Sequence, residues 1–120
     1  MILVDTPVWV EHLRTGRPDL ARLLDDGLVL GHPWVDGELA LGHLVRRAEV
    51  LGLLGALPQA VVATAEEIRV LVDHHQLHGT GIGYVDAQLL ASTALTGGAE
   101  LWTEDRRLHA AAVRVGCART

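Results

Sequence analysis

The sequence predicts an α/β fold in which a central, mostly parallel sheet of four to five short strands is flanked by helices. Short apolar segments alternate along the chain with longer segments of helical periodicity. Several helix-start signals, among them Thr-Pro and a capping box, follow the apolar segments. Because buried strands that alternate with helices form parallel sheets with helices on both faces, the two observations together predict this architecture.

Length and composition indicate one domain spanning residues 1–120. Apolar residues make up 49% of the chain, which is typical of a folded protein. The single cysteine, Cys117, excludes an internal disulfide and suits a reducing compartment. The N-terminus has no basic region before its apolar run, and no apolar stretch is long enough to cross a membrane. We therefore expect a soluble, cytoplasmic protein.

The formal net charge is −5 and the pI is about 5.7, which counts against an ordinary nucleic-acid-binding protein. A nuclease is still compatible with this charge, because bound metal neutralises acids and basic patches can be local. Three arginine clusters are candidates for such patches, although solvated surface arginines are the simpler interpretation of any one of them. They are Arg14 with Arg17, Arg46 with Arg47, and Arg106 with Arg107.

In the first half of the chain, Thr6 and Pro7 are typical of a helix start, and Gly27 is a helix stop. The wholly apolar first residues read as a buried strand. The predicted elements are a strand at 1–4, helices at 8–14 and 18–25, a strand at 28–30, a helix at 33–45 and a helical segment to about residue 55.

In the second half, Thr64 and Glu67 form a predicted capping box. Gly97 and Gly98 end the following long helix. The predicted elements are a strand at 59–63, a helix at 64–77, a glycine-rich loop at 79–83, a helix at 84–95, a strand at 100–103, a helix at 105–112 and a last strand at 113–115.

Four acidic residues stand at the edges of apolar segments. Asp5 and Asp105 follow predicted strands, and ligands of open α/β sheets bind beyond the carboxyl ends of the strands. Asp86 and Glu38 lie on inward-facing stripes of their helices. Taken singly, each acid also suits a helix N-cap or dipole role. Because burying a carboxylate is costly unless it is paired or binds metal, the four together indicate a divalent-metal site.

Four segments carry a resemblance to a known family. ILVDTPVWVEHLR, HPWVDGELALG, GIGYVDAQLLAS and LWTEDRRL resemble, in order, the four motifs of PIN-domain proteins, specifically VapC-type toxin ribonucleases of type II toxin–antitoxin systems. Each motif alone is weak, whereas all four in order in a chain of 120 residues are specific. The resemblance covers nearly the whole chain.

The resemblance implies a three-layer PIN-like fold and metal-dependent cleavage of RNA. It implies that Mg²⁺, or Mn²⁺, is held by the four acids, which would be both the catalytic and the metal-binding residues: Asp5, Glu38, Asp86 and Asp105. Thr6 and Thr103 are supporting candidates, although capping or strand-end packing explains each of them as well. The family further implies a VapB-type antitoxin partner and a homodimer.

The chain departs from the family pattern at two acids. Asp36 lies two residues before Glu38, and residues at i and i+2 do not share a helix face. We assign Glu38 to the site because its stripe is apolar, and expect Asp36 to be exposed. Glu104 stands where relatives often have a basic residue, and the motif favours its neighbour Asp105.

Other features have simpler explanations. His74 and His78 have a zinc-compatible i, i+4 spacing but no evident third ligand. The glycine-rich loop at 79–83 does not follow a predicted strand, so it is better explained as a flexible entry to the next helix than as a phosphate-binding loop. Two other functions remain as alternatives: a catalytically inactive PIN-fold binding module, and a receiver-like acidic-pocket domain, which usually requires a lysine that this chain lacks.

Overall fold

The computed structural model describes residues 1–119, which form a parallel three-stranded sheet flanked by seven helices. The strands are β1 (Ile2–Val4), β2 (Val29–Leu30) and β3 (Glu100–Trp102). The helices are α1 (Thr6–Thr15), α2 (Pro18–Asp25), α3 (Pro33–Ala40), α4 (Arg47–Gly55), α5 (Ala65–His75), α6 (Tyr84–Leu95) and α7 (Arg106–Val115). The predicted α/β class is confirmed.

The strand order is β2-β1-β3, so β1 lies at the centre. Leu3 of β1 is level with Leu30 on one side and with Leu101 on the other. All three side chains are buried, as wholly apolar strands covered by helices should be. Because β1 and β3 are parallel and in register, the residues that follow them emerge at the same edge of the sheet.

The predicted count of four to five strands is too high, because both outer strands are reduced to single bridges. Residues 59–63 make only the bridge between Gly31 and Gln59. Beyond it, the amide of Val61 donates to the Thr96 hydroxyl at 3.0 Å, and the amide of Ala63 donates to the side chain of Gln88 at 2.9 Å. Side chains of α6 and its C-cap thus take the hydrogen bonds that a strand partner would have made.

Two other predicted boundaries are also wrong. Residues 113–115 continue α7, because Gly116 ends the helix at a φ of 90°, and the last bridge to the sheet is made by Ala118. The helix predicted at 33–45 ends at Ala40, and a turn separates it from α4. Apolar periodicity alone does not reveal this break.

The capping box is confirmed: the amide of Glu67 donates to the Thr64 hydroxyl at 3.1 Å, and the amide of Thr64 donates to the Glu67 carboxylate at 2.9 Å. In the described part of the chain, every helix is too short or too polar to cross a membrane.

Candidate active site

Asp5 occupies the junction between β1 and α1 and is the N-cap of the helix, a place for which the sequence favours Thr6. Its Oδ1 accepts a hydrogen bond from the amide of Thr6 at 2.9 Å, and its Oδ2 accepts one from the hydroxyl of Thr103 at 2.7 Å. Only 6% of the residue is exposed. Burial raises the pKa of Asp5, the two hydrogen bonds oppose this, and the charges of Asp86 and Glu38 add to the rise.

Glu38 lies near the end of α3 and is exposed to solvent. Its Oε1 accepts a hydrogen bond from the Thr6 hydroxyl at 2.6 Å. Since Thr6 also donates its amide to Asp5, one threonine orients two carboxylates from different elements.

Asp86 is the third residue of α6 and is half-buried. Its Oδ2 accepts a hydrogen bond from the amide of Gly83 at 3.2 Å, which fixes the carboxylate at the helix start. Burial raises the pKa of Asp86, with further contributions from the charges of Asp105 and Glu38. These couplings show that the carboxylates are electrostatic neighbours.

Asp105 follows β3 and is the N-cap of α7. Its Oδ1 accepts a hydrogen bond from the amide of Leu108 at 2.9 Å, and its own amide donates to the Thr103 hydroxyl at 3.1 Å. Thr103 therefore links Asp105 to Asp5 across the neighbouring ends of β1 and β3.

The four predicted acids line a single open cavity of about 410 Å³, called the acid pocket below. Its lining residues are Asp5, Thr6, Pro7, Val10, Glu38, Asp86 and Asp105. Within residues 1–119, no three His, Cys, Asp or Glu side chains stand close enough together to hold a metal ion, and this includes the four acids as well as His74 and His78. The four acids instead stand around an open cup, and each carboxylate accepts a protein hydrogen bond, which for Glu38 comes from Thr6 on α1.

The two acids at which the chain departs from the family pattern lie outside the lining of the acid pocket. Asp36 is half-buried, not exposed as predicted, and burial raises its pKa. Glu104 forms an ion pair with Arg17, with Nη1–Oε1 at 3.0 Å and Nη2–Oε2 at 3.1 Å.

Arg17 also forms ion pairs with Glu11 and Asp19, each at 2.9 Å, and its guanidinium lies 5.3 Å from the ring centre of Trp102. The sequence makes this arginine a candidate for a basic patch. In the structure three carboxylates neutralise it, so it belongs to a structural cluster that links α1, α2 and the end of β3.

A buried polar network next to the site is not evident from the sequence. His32 is fully buried; its Nδ1 accepts a hydrogen bond from the amide of Trp34, and its Nε2 lies 2.8 Å from the Ser92 hydroxyl. Because Nδ1 accepts, the ring is neutral and Nε2 donates. Ser92 donates to Gln88 at 2.6 Å, and Gln88 makes two hydrogen bonds with the backbone of Ala63. We call these residues the histidine network.

The histidine network caps the start of α3 and joins it to α6, the helices that carry Glu38 and Asp86. Two features of the sequence could have indicated this network. One is the pair of polar side chains at 88 and 92, one helical turn apart on the inward stripe of α6. The other is a histidine directly before Pro33.

The fold is compatible with a PIN-like domain. The chain is 52% identical over 118 residues to Ribonuclease VapC32 of two Mycobacterium tuberculosis strains, CDC 1551 / Oshkosh and H37Rv, and the match covers 98% of this chain and 95% of the relative. The chain therefore belongs to the VapC family of toxin ribonucleases. No family model and no solved structure matches the chain.

Proposed function

We propose that this protein is a metal-dependent endoribonuclease, the toxin component of a VapBC-type toxin–antitoxin module in the cytoplasm. It hydrolyses RNA phosphodiester bonds with Mg²⁺ or Mn²⁺ bound in the acid pocket. One observation carries the proposal: four carboxylates from four separate segments, the first and last 100 positions apart, line one cavity. The relative named as a ribonuclease supports RNA as the substrate.

The chemistry of the acid pocket fits such an ion. Its donors are carboxylate and hydroxyl oxygens, which Mg²⁺ and Mn²⁺ prefer. These ions usually keep several waters, and a cavity of about 410 Å³ has room for a hydrated ion. A bound ion would lower the pKa of an attacking water and offset charge on the leaving oxygen.

The residues of the chain divide into ligands and positioning groups. Asp5 and Asp86, the two half- or fully buried carboxylates, are the closest ligands, and Glu38 and Asp105 complete the set from the solvent side. The hydrogen bonds of Thr6 and Thr103 with these acids make the two threonines positioning residues. A cation among these acids would also offset the burial and, to a smaller extent, the repulsion that raise the pKa of Asp5 and Asp86.

The test is cleavage of a labelled RNA pool by the wild type and by Asp5→Asn and Asp86→Asn. Asp25→Asn is the matched control, because it removes the same charge from an exposed position outside the acid pocket. We expect each site variant to lose at least about 100-fold in rate, as when a group that stabilises charge in the transition state is removed. The control should cleave normally, and circular dichroism should show all variants folded.

Metal-dependent cleavage that survives in the folded Asp5→Asn/Asp86→Asn double variant would contradict the proposal. A folded wild type that cuts no RNA in the pool with Mg²⁺ or Mn²⁺ would favour the inactive binding module instead.

The proposed antitoxin partner is a VapB-type protein that covers the acid pocket. An acidic cup suits an inserted arginine, which presents a planar fork of donors to carboxylates. A neighbouring groove lined by Leu39, Leu44 and Val45 shares Val10 and Glu38 with the acid pocket, so one bound segment would reach both. Co-expression with the adjacent reading frame should suppress cleavage.

We also propose a homodimer formed through the apolar segment that includes α4. Leu41 is 90% exposed, Val45 85% and Leu53 63%, which is unusual for large apolar side chains on one segment. Light scattering at micromolar concentration should give a dimer mass for the wild type and a monomer mass for Leu41→Asp/Leu53→Asp, two exposed positions outside the lining of the neighbouring groove. A monomeric wild type would contradict this part of the proposal.

A further inference from the structure

A second cavity, of about 360 Å³, lies where the glycine-rich loop at 79–83 meets α7. Its lining residues are Thr80, Arg106, Arg107, Ala110, Ala111 and Arg114, and we call it the arginine pocket. None of these residues is acidic, although the whole chain carries a net charge of −5. The cavity is therefore a local concentration of positive charge on an acidic protein.

The three arginines of this pocket are not neutralised by acids. Within residues 1–119, the ion pairs involve only Arg17 and Arg69. Arg114 donates to the backbone oxygens of His75 and Gln76, at 3.4 and 3.1 Å, which orients the guanidinium and leaves its charge in place.

Arg107 packs against a glycine. An ideal Cβ on Gly81 would lie 2.8 Å from Arg107 Nη1 and 3.0 Å from its Cδ, so a side chain at this position would make the flexible end of Arg107 shift. Gly81 also has a φ of +87°, which side-chain-bearing residues rarely adopt. The glycine-rich loop, for which the sequence predicts only an entry to α6, lines the arginine pocket through Thr80.

The placement of two arginines at the start of α7 opposes the usual electrostatics of helices. Arg106 and Arg107 are its first two residues, and its first turn contains no acid. A helix N-terminus carries partial positive charge and favours anions, so cations there weaken the helix. The carboxylate of Asp105, the N-cap of α7, offsets part of this cost.

We propose that the arginine pocket binds a backbone phosphate of RNA and guides the strand into the acid pocket. The inference rests on the proposed ribonuclease function. The two pockets are linked through the chain, because Arg106 directly follows Asp105 and the loop at 79–83 leads into the helix of Asp86. Guanidinium groups bind phosphate oxygens in bidentate geometry, and phosphate contacts position a nucleic acid without reading its sequence.

The experiment measures RNA binding separately from cleavage. Anisotropy of a short fluorescein-labelled single-stranded RNA is recorded with Mg²⁺ in an Asp5→Asn background, with intact RNA verified on a gel. The test variants are Arg107→Gln and Arg114→Gln. Arg22→Gln is the matched control, because it removes the same charge from an exposed position on α2.

We expect each test variant to weaken RNA binding about tenfold, as for loss of a charged hydrogen bond. The slope of log affinity against log salt should become shallower by about 0.7 for each phosphate that the variant no longer binds. Arg22→Gln should match the background. Test variants that bind within twofold of Arg22→Gln, with an unchanged slope, would overturn the inference.

A second pair of variants tests the geometry without removing charge. Gly81→Ala should displace Arg107 and weaken RNA binding. Gly79→Ala has comparable backbone strain, with a φ of +72°, but nothing lies within 4 Å of its added Cβ, so it should bind normally once both are shown to be folded. Equal binding by the two variants would contradict the role of Arg107.

Two further outcomes separate the proposals. If the arginine variants weaken only the antitoxin complex, the pocket is a protein contact and the inference fails. If RNA binding depends on the arginines but the wild type cuts no RNA, the ribonuclease proposal fails while the phosphate site stands.

Discussion

The acid pocket and the histidine network both involve α3 and α6, but their polar groups are arranged in opposite ways. In the histidine network, each side-chain nitrogen and oxygen of His32, Ser92 and Gln88 has a hydrogen-bond partner, and none of the three carries a charge. In the acid pocket, carboxylates of like charge stand together, and burial raises the pKa of Asp5 and Asp86. The network has the properties of a scaffold, whereas the acid pocket keeps an electrostatic cost, which protonation or a bound cation would relieve.

This contrast between the two regions predicts the largest effect for Asp86→Asn. Cleavage should fall at least about 100-fold, while stability in EDTA should increase. The increase is expected because the pKa of Asp86 is higher in the folded than in the unfolded protein. Such a carboxyl stabilises the fold while it is protonated, at pH values below its unfolded pKa. This stabilisation is lost as the pH rises through the folded pKa. At neutral pH the charged Asp86 therefore destabilises the fold. The asparagine of Asp86→Asn is uncharged, and its side-chain oxygen can still accept the hydrogen bond from the amide of Gly83, so it should not destabilise the fold.

Urea unfolding of Asp86→Asn in EDTA measures this gain, with the exposed Asp25→Asn as control. A lower stability of Asp86→Asn than of the control would show that the acid pocket is structural and not electrostatically strained.

Replacing His32 should lower the stability of the fold, in contrast to the gain expected for Asp86→Asn. His32→Ala removes the N-cap of α3 and leaves buried partners unpaired, so we expect a loss of roughly 2–4 kcal/mol in the free energy of unfolding. His78→Ala, at an exposed position, is the control and should change little. A His32→Ala protein as stable as this control would contradict the scaffold role of the network.

Thr103 combines features of both regions, because its hydroxyl donates to Asp5 and accepts from the amide of Asp105. Thr103→Val keeps the shape but loses both hydrogen bonds, and should cost about 1–3 kcal/mol and slow cleavage. Thr15→Val, which removes only an exposed hydrogen bond to the backbone of Glu11, is the control. Normal cleavage by Thr103→Val would show that the threonine is not needed to position the acids.

The smallest effect concerns pH. Burial lowers the pKa of His32 below its ordinary 6.5, opposed in part by the side chain of Gln88. Its neutral form therefore stabilises the fold above about pH 6.5, and this contribution is lost as pH falls toward the folded pKa. Protonation of Asp5 and Asp86 stabilises the fold as the pH falls, which opposes the effect of His32. The contribution of the histidine is therefore measured as the difference in the free energy of unfolding between the wild type and His32→Asn at each pH. A difference that is constant between pH 7.5 and pH 5 (about the range of a titrating histidine) would contradict it.

Features that depend on residues close together in the sequence could be predicted, whereas features that depend on contacts between distant residues could not. Asp5 and Asp105 could be placed from a local pattern, because each is an acid close after an apolar strand. The parallel pairing of β1 and β3 brings the carboxyl ends of these two strands together. The prediction of a strand at 59–63 was wrong because the hydrogen bonds of this segment go to side chains of α6 and its C-cap, which no local pattern reveals.

The remaining features depend on contacts between distant residues. Arg17 and Glu104 are 87 positions apart, and His32 and Ser92 are 60 apart. A single sequence contains no signal that pairs them. Likewise, Arg106 and Arg107 are visible in the sequence as a basic pair, but the contact between Arg107 and Gly81 appears only in the folded chain.

Binding of a divalent metal by the four carboxylates is tested most directly by calorimetric titration of Mn²⁺ into the wild type and Asp86→Asn. We expect saturable binding to the wild type, with a gain in thermal stability, and loss of both in the folded variant. Equal Mn²⁺ affinity in the two proteins, or no binding to the wild type, would show that the acid pocket is not a metal site.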